Sequence, residues 1–324
     1  MKAIQLTGLE GFDSLRLVEI DRPKPAVNEI LVEIRAAGIN FAELEMTKGR
    51  YQASQKLPFT MGFEGAGVVV EAGSEAKHLR IGDKVTTIVS SGSYAEYATA
   101  NASFAIPIPG GISFAEATAI PVQGLSAHAL LTLAAKPQPH ESVLIQSAAG
   151  GVGVFLVQLA KLMGVNKVIA LAGSREKLDL VKELGADVVI NYNEENWAAR
   201  VREATQGKGV DVVLESASGR IGEESFKLLA PFGRIVLFGA QNAHDTLSNE
   251  RVRQLIFQNQ SVTGFNFPSL RPEQIGVSVA ALLEFIGKGK LRLFANHTFP
   301  LTDVKKAFQT ISERQTTGKV VLVP

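Results

Sequence analysis

Residues 142–163, SVLIQSAAGGVGVFLVQLAKLM, join a short apolar run to a turn of small residues and then to a helix-length stretch. Ala148, Gly150 and Gly153 occupy the three positions of a G-x-G-x-x-G turn, with alanine in place of the first glycine. The chemistry of such a turn is anion binding. Gly150 lets the backbone approach a pyrophosphate and Gly153 lets helix pack on strand, while Ala149, Gly151 and Val152 complete a helix start with free N–H groups and a positive dipole end. A turn that merely requires small residues is the alternative; the strand and helix on either side favour a dinucleotide.

The second strand of such a unit ends about 20 residues further on, where enzymes of NAD carry an acid for the ribose 2'-hydroxyl. Here the sequence is ALAGSREKLDL, with Ala172, Gly173 and Ser174 in place of the acid and Arg175 and Lys177 on the first turn of the next helix. A 2'-phosphate suits small residues, a hydroxyl and two cations, and a carboxylate would repel it, so NADPH is expected over NADH. Ser174 also reads as a helix N-cap and the two cations as surface charges. Tyr192, just after the third strand, either flanks the adenosine or is a half-buried core residue.

To place these groups the chain needs a parallel sheet. Strands at 142–147, 167–173, 187–191, 210–216, 233–240 and 261–267 alternate with helices at 151–163, 175–184, 195–205, 221–230 and 249–257, which predicts an α/β, doubly wound (Rossmann) sheet. In that topology the loops at the C-terminal strand ends line the ligand crevice: Glu215 with Ser216, Phe238 with Gly239 and Ala240, and Phe265 with Asn266. Residues 1–123 are instead β-rich, with short strands broken by Gly, Pro and Asn. Helices near 273–287 and 302–313 and a terminal strand, KVVLVP, follow the sheet.

Of 324 residues, 46% are hydrophobic, and 33 Lys and Arg offset 32 Asp and Glu to leave a formal charge of +1, so no field is expected that would hold a nucleic acid. The chain has no cysteine, which removes disulfides, thiolate metal ligands, iron–sulfur clusters and a cysteine nucleophile. The five histidines are scattered without metal-ligand spacing, and no metal is expected. No secretory signal and no run of 18–20 apolar residues is read, and a soluble, cytosolic protein is expected.

AAGINFAELEMTKGRY (36–51), LPFTMGFEGAGVV (57–69), GDKV, SYAEYA, AIPVQGLSAHALL (119–131), LGADVVINY, GRIVLFGA and TGKVVLVP run in order along nearly the whole chain. They resemble the zinc-independent quinone oxidoreductase (zeta-crystallin-like) branch of the medium-chain dehydrogenase/reductase superfamily; NFAEL and GKVVLVP also resemble the vesicle amine transport branch. The resemblance implies a GroES-like β-rich substrate domain (1–123), a Rossmann NADP-binding domain (124–267) and a C-terminal completion of the first domain (268–324). It implies hydride transfer from NADPH to a quinone, or alternatively to an enal, enone or enoyl-thioester; a cofactor-binding protein with little turnover is the rival from another class. Gly62, Phe63 and Glu64 stand where zinc-dependent relatives read G-H-E.

By the same resemblance Asn40 and Ser126 sit beside the nicotinamide as catalytic and cofactor contacts, Lys319 joins the cofactor contacts, and Tyr51 is the candidate acid. Asn40 otherwise reads as a turn residue, Ser126 as a helix cap, and Tyr51 as a pocket wall with water supplying the proton. Glu64 reads as a structural acid and His128 as packing. Phe41, Tyr51, Phe63 and Phe267 form either an apolar cleft for a flat acceptor or part of the core. A homodimer through the edge strand SVTGFNF is expected, with a homotetramer left open.

Overall fold

The computed structural model describes residues 1–51, 56–239 and 248–324, which form two compact units: Met1–Gln123 with Arg292–Pro324, and Gly124–Leu291.

The first unit opens with β1 (Lys2–Leu6), β2 (Leu15–Glu19) and β3 (Glu29–Ile39), then the short α1 (Phe41–Met46), β4 (Phe59–Thr60), β5 (Glu64–Ala72), β6 (Lys84–Ile88), β7 (Tyr97–Asn101) and β8 (Ile106–Pro107). β3 is the organiser, antiparallel to β5 along one edge and to β7 along the first part of the other. Its apolar residues Ile30, Val32, Ile34 and Ile39 enter a core with Val69, Val85 and Tyr94. α2 (Phe114–Ala117) starts a helical stretch that runs through α3 (Leu125–Ala129) to Ala135.

At 22 residues, Phe114–Ala135 is long and apolar enough to cross a membrane by length and composition, contrary to the expectation that no such run exists. Most of it is buried inside the protein, as a core helix must be, which accounts for its apolar composition.

The second unit continues with β9 (Ser142–Ile145), α4 (Gly151–Leu162), β10 (Lys167–Ala172), α5 (Arg175–Glu183), β11 (Val188–Asn191), α6 (Trp197–Ala204), β12 (Val210–Glu215), α7 (Gly219–Lys227), β13 (Leu229–Phe238), α8 (Asn249–Phe257) and β14 (Ser261–Phe265). The sheet is parallel throughout, in the order β11-β10-β9-β12-β13-β14. This is the doubly wound order, and it reverses between β9 and β12. Leu144, Ile169, Leu171, Val213 and Ile235 of the strands pack with Trp197 and Phe226 of the helices.

α9 (Pro272–Gly287) stays with this unit, so the boundary expected at 267 falls instead after Leu291. Its Ser278 hydroxyl meets His128 Nδ1 of α3 at 2.9 Å, and Leu282 is fully buried. The chain then returns to the first unit with β15 (His297–Pro300), α10 (Val304–Ser312) and β16 (Val320–Val323). β16 takes the free part of the β3 edge, with Val320 opposite Ile39 and Val321 opposite Gly38.

Candidate active site

Gly150 is the N-cap of α4 and has no side chain to spend on the N–H groups of the first helical turn, which leaves them available to an anion. A Cβ at Gly153 would collide with the carbonyl oxygens of Ser147 and Ala148, so only glycine lets the helix start this close to the strand. The turn enters through Ser147 at φ 48°, and Ala148 N–H donates to Leu171 O at 3.0 Å, tying it to β10. Ala149 and Gly153 are buried, while Gly150, Gly151 and Val152 are half-exposed at the mouth. A pyrophosphate fits this cradle.

At the end of β10, Ser174 is the N-cap of α5, its hydroxyl accepting from Lys177 N–H at 3.4 Å. The Arg175 side chain is 95% exposed, in a long 3.9 Å contact with Asp179. Tyr192 packs partly on the core, and a Cβ at Gly173 would lie 2.6 Å from its phenol oxygen; the missing side chain seats the tyrosine across the strand end. These groups share one edge of one unit, free of any carboxylate in the position that would repel a 2'-phosphate.

Beyond the switch point, Glu215 does not face a ligand as expected from the loop position. It is buried, and its carboxylate accepts from Ala217 N–H at 3.1 Å and Ser218 N–H at 2.7 Å. Gln146, just past β9, accepts from the Ser216 and Ala217 N–H groups at 3.3 and 3.0 Å and donates to Ser225 Oγ at 2.8 Å. Ser216 is half-exposed, Phe238 is buried and Gly239 is exposed at φ 84°. Phe265 pairs with Phe238, and exposed Asn266 bonds Ser269 Oγ at 3.3 Å. Ala240 lies outside the described residues.

In the first unit the register of three strands builds a buried polar knot. β3 and β5 set Gly38 opposite Glu64, and β3 and β16 set Ile39 opposite Val320, so Asn40, Glu64 and Lys319 converge. Glycine at 38 is what makes the room, since a Cβ there would lie 2.8 Å from both Glu64 Oε1 and Lys319 Nζ. Lys319 is wholly buried and pairs with Glu64, while its ammonium donates to Asn40 Oδ1 at 2.9 Å. Glu64 also accepts from Asn40 Nδ2 and from Val122 N–H, each at 2.8 Å.

Asn40, the residue expected beside the nicotinamide, has its amide held by Nδ2 to Glu64 and, at 3.4 Å, to Glu43, and by Oδ1 to Lys319 and, at 3.5 Å, to Gln123 Nε2. Lys319, expected as a cofactor contact, spends its charge on Glu64, because a buried ammonium needs a partner to offset its desolvation.

Glu43 is a further member of the knot, beyond the residues the sequence singles out. Its carboxylate accepts from Asn40 N–H at 2.8 Å and Phe63 N–H at 3.1 Å, and burial pushes it up to about 7. The signal was present: Asn40 followed three residues later by Glu43 is an N-cap with an acid at the third helical position. The Tyr94 phenol lies near enough for burial and the Glu43 and Glu64 carboxylates to push it far above its ordinary range, without a hydrogen bond of good geometry.

Tyr51 is half-buried, and burial raises its phenol above the usual value. Ser126 is the second residue of α3 and buried, so it does not cap that helix. His128 is buried against Ser278, and burial lowers its pKa. Phe41 and Phe63 pack against the first unit's core, and Phe267 belongs to the second unit.

The alcohol dehydrogenase GroES-like domain family matches residues 26–110, and the zinc-binding dehydrogenase family matches residues 151–284. A quinone oxidoreductase of Pseudomonas aeruginosa is 33% identical over 329 residues, covering 100% of this chain and 99% of its own length. The human synaptic vesicle membrane protein VAT-1 homolog is 31% identical over 342 residues, covering 100% of this chain and 86% of its own length. Among solved structures, Escherichia coli quinone oxidoreductase complexed with NADPH matches with a TM-score of 0.92 at 32% identity over 100% of both chains. The donor set here does not suit a zinc ion. There is no cysteine, Phe63 fills the histidine position, and among the described residues no three His, Asp or Glu side chains come together.

Proposed function

Because the chain belongs to the zinc-independent quinone oxidoreductase branch of the medium-chain dehydrogenase/reductase superfamily, we propose that it transfers hydride from NADPH to a quinone, its residues divided between holding the dinucleotide and handling the proton. It is an NADPH-dependent oxidoreductase. The observation that carries this reading is the side-chain-free cradle at Gly150 and Gly153, beside a strand end that offers Ser174, Arg175 and Lys177 in place of an acid. NADPH, when bound, supplies a hydride from its reduced nicotinamide.

Ala149, Gly150, Gly151, Val152 and Gly153 hold the pyrophosphate through backbone N–H groups and the α4 dipole. Ser174, Arg175 and Lys177 receive the 2'-phosphate, and Tyr192 flanks the adenosine. Ser216, Phe238, Gly239, Phe265 and Asn266 line the remainder at the strand ends. Asn40, its amide oriented by Glu64 and Lys319, and the Ser126 hydroxyl contact the reacting end of the dinucleotide. Tyr51 gives its phenol proton to the reduced acceptor's oxygen; burial raises its pKa, so it stays protonated across neutral pH.

The finer reading of assembly is a cytosolic homodimer joined along β14, which ends the sheet with one side unpaired among the described residues. Access to NADPH supports the location.

Steady-state oxidation of NADPH with a panel of quinones and enones tests the function. Quinone-dependent turnover is expected, and tight NADPH binding with no acceptor-dependent turnover would reduce the chain to a binding protein. Tyr51→Phe should lower enone reduction several-fold more than quinone reduction; unchanged rates for both would remove its role.

A further inference from the structure

The turn after β12 is held in an unfavourable conformation. Ser218 has φ 59° and ψ −176°, a region costly for any residue with a side chain, and Gly219 follows at φ 55°. Glu215 and Gln146 maintain the turn by accepting the N–H groups of Ser216, Ala217 and Ser218. The strain gains no core packing, because Ser218 is half-buried and Gly219 and Arg220 are exposed. What it does is aim the start of α7, whose Arg220 donates Nη2 to the carbonyl of Tyr192 at 3.3 Å.

That carbonyl stands at the β10 end. Tyr192 N–H donates to Ala172 O at 3.2 Å, and Asn193 Nδ2 donates to Gly173 O at 2.9 Å. Arg220, from the β12 half of the sheet, is thereby fixed on the edge that carries Ser174, Arg175 and Lys177 from the other half. A guanidinium has five N–H donors in a planar fork, and the Tyr192 carbonyl engages one nitrogen.

We propose that Arg220 is a specificity-determining residue, donating its guanidinium to the 2'-phosphate of the dinucleotide. This rests on the NADPH reading above. The strain at Ser218 then has a use: it aims α7 so that Arg220 reaches the Tyr192 carbonyl, and that bond orders the side chain before the ligand arrives.

Isothermal titration of the intact chain with NADPH and with NADH tests it on wild type, Arg220→Gln and Arg220→Lys, with thermal midpoints confirming that the variants fold. Arg220→Gln should bind NADPH roughly 10- to 100-fold more weakly and NADH within about 2-fold of wild type, as loss of a charge-assisted hydrogen bond predicts. Arg220→Lys should keep part of the preference. Retention of the wild-type NADPH-to-NADH ratio by Arg220→Gln, or equal loss for both, overturns the proposal and leaves the cofactor reading intact. A wild type without preference for NADPH overturns both.

Discussion

In the first unit Asn40, Glu43, Glu64 and Lys319 bond to one another and to nearby backbone, whereas at the ends of β9 and β10 the helix-start N–H groups and the Arg175 side chain face outward. The two regions hold polar groups of similar number and opposite use. The buried set is closed: Lys319 and Glu64 compensate each other's removal from water and Glu43 accepts only neighbouring N–H groups, so a change to any of them is felt in stability. The exposed set is open, resting on small residues and an uncompensated dipole, so its loss is felt as affinity. A residue's type does not separate these cases; whether its hydrogen-bonding capacity is already used does.

Substitutions that move one region's behaviour toward the other's test this contrast. Lys319→Met should cost about 3–5 kcal/mol in chemical denaturation by stranding Glu64, and adding Glu64→Gln should recover most of it; an additive second loss would mean that the pair is not the unit of stability. Glu43 gives a pH signature. Its folded value of about 7 exceeds the ordinary 4.5, so the folded state holds the proton more tightly, and stability present below about pH 4.5 is lost as pH rises through about 7. Glu43→Gln removes that slope, and between pH 4 and 8 its stability relative to wild type should improve by on the order of 3 kcal/mol.

At the open edge, Gly153→Val should weaken NADPH by roughly 100-fold or more in a fluorescence titration, about 2.7 kcal/mol, because the helix start must move away from the Ser147 and Ala148 carbonyls. The smallest effect belongs to Arg175→Ala with Lys177→Ala, expected to lose about 10-fold for NADPH and little for NADH. Equal losses for the two dinucleotides would remove both cations from the phosphate.

The open edge was legible in the sequence because its signals are local. A glycine spacing, a missing acid and two cations lie within about 35 residues, and the 2'-phosphate preference needs nothing else. The knot was not, because its members are neighbours only through strand register, with Asn40 and Lys319 separated by 279 positions. Lys319 in a strand ending KVVLVP reads as a cation for a ligand until Glu64 is seen opposite Gly38. The unit to which the helix 272–287 belongs is hidden for a related reason: an amphipathic pattern says that a face is covered, and only the Ser278 contact with His128 says by what. Glu43 was legible as a helix-start acid, but its full burial was not.

The seat of Lys319 beneath Gly38 also bears on synthesis. The ribosome makes the lysine that pairs with Glu64 only 255 residues after Glu64 itself. Until β16 is available to pair with β3, the nascent β3–β5 pair must keep the Glu64 carboxylate in water, so the nucleotide-binding unit that lies between can finish before the part that brackets it. Synthesis of β16 therefore acts as the closing stitch for a core laid down with β3.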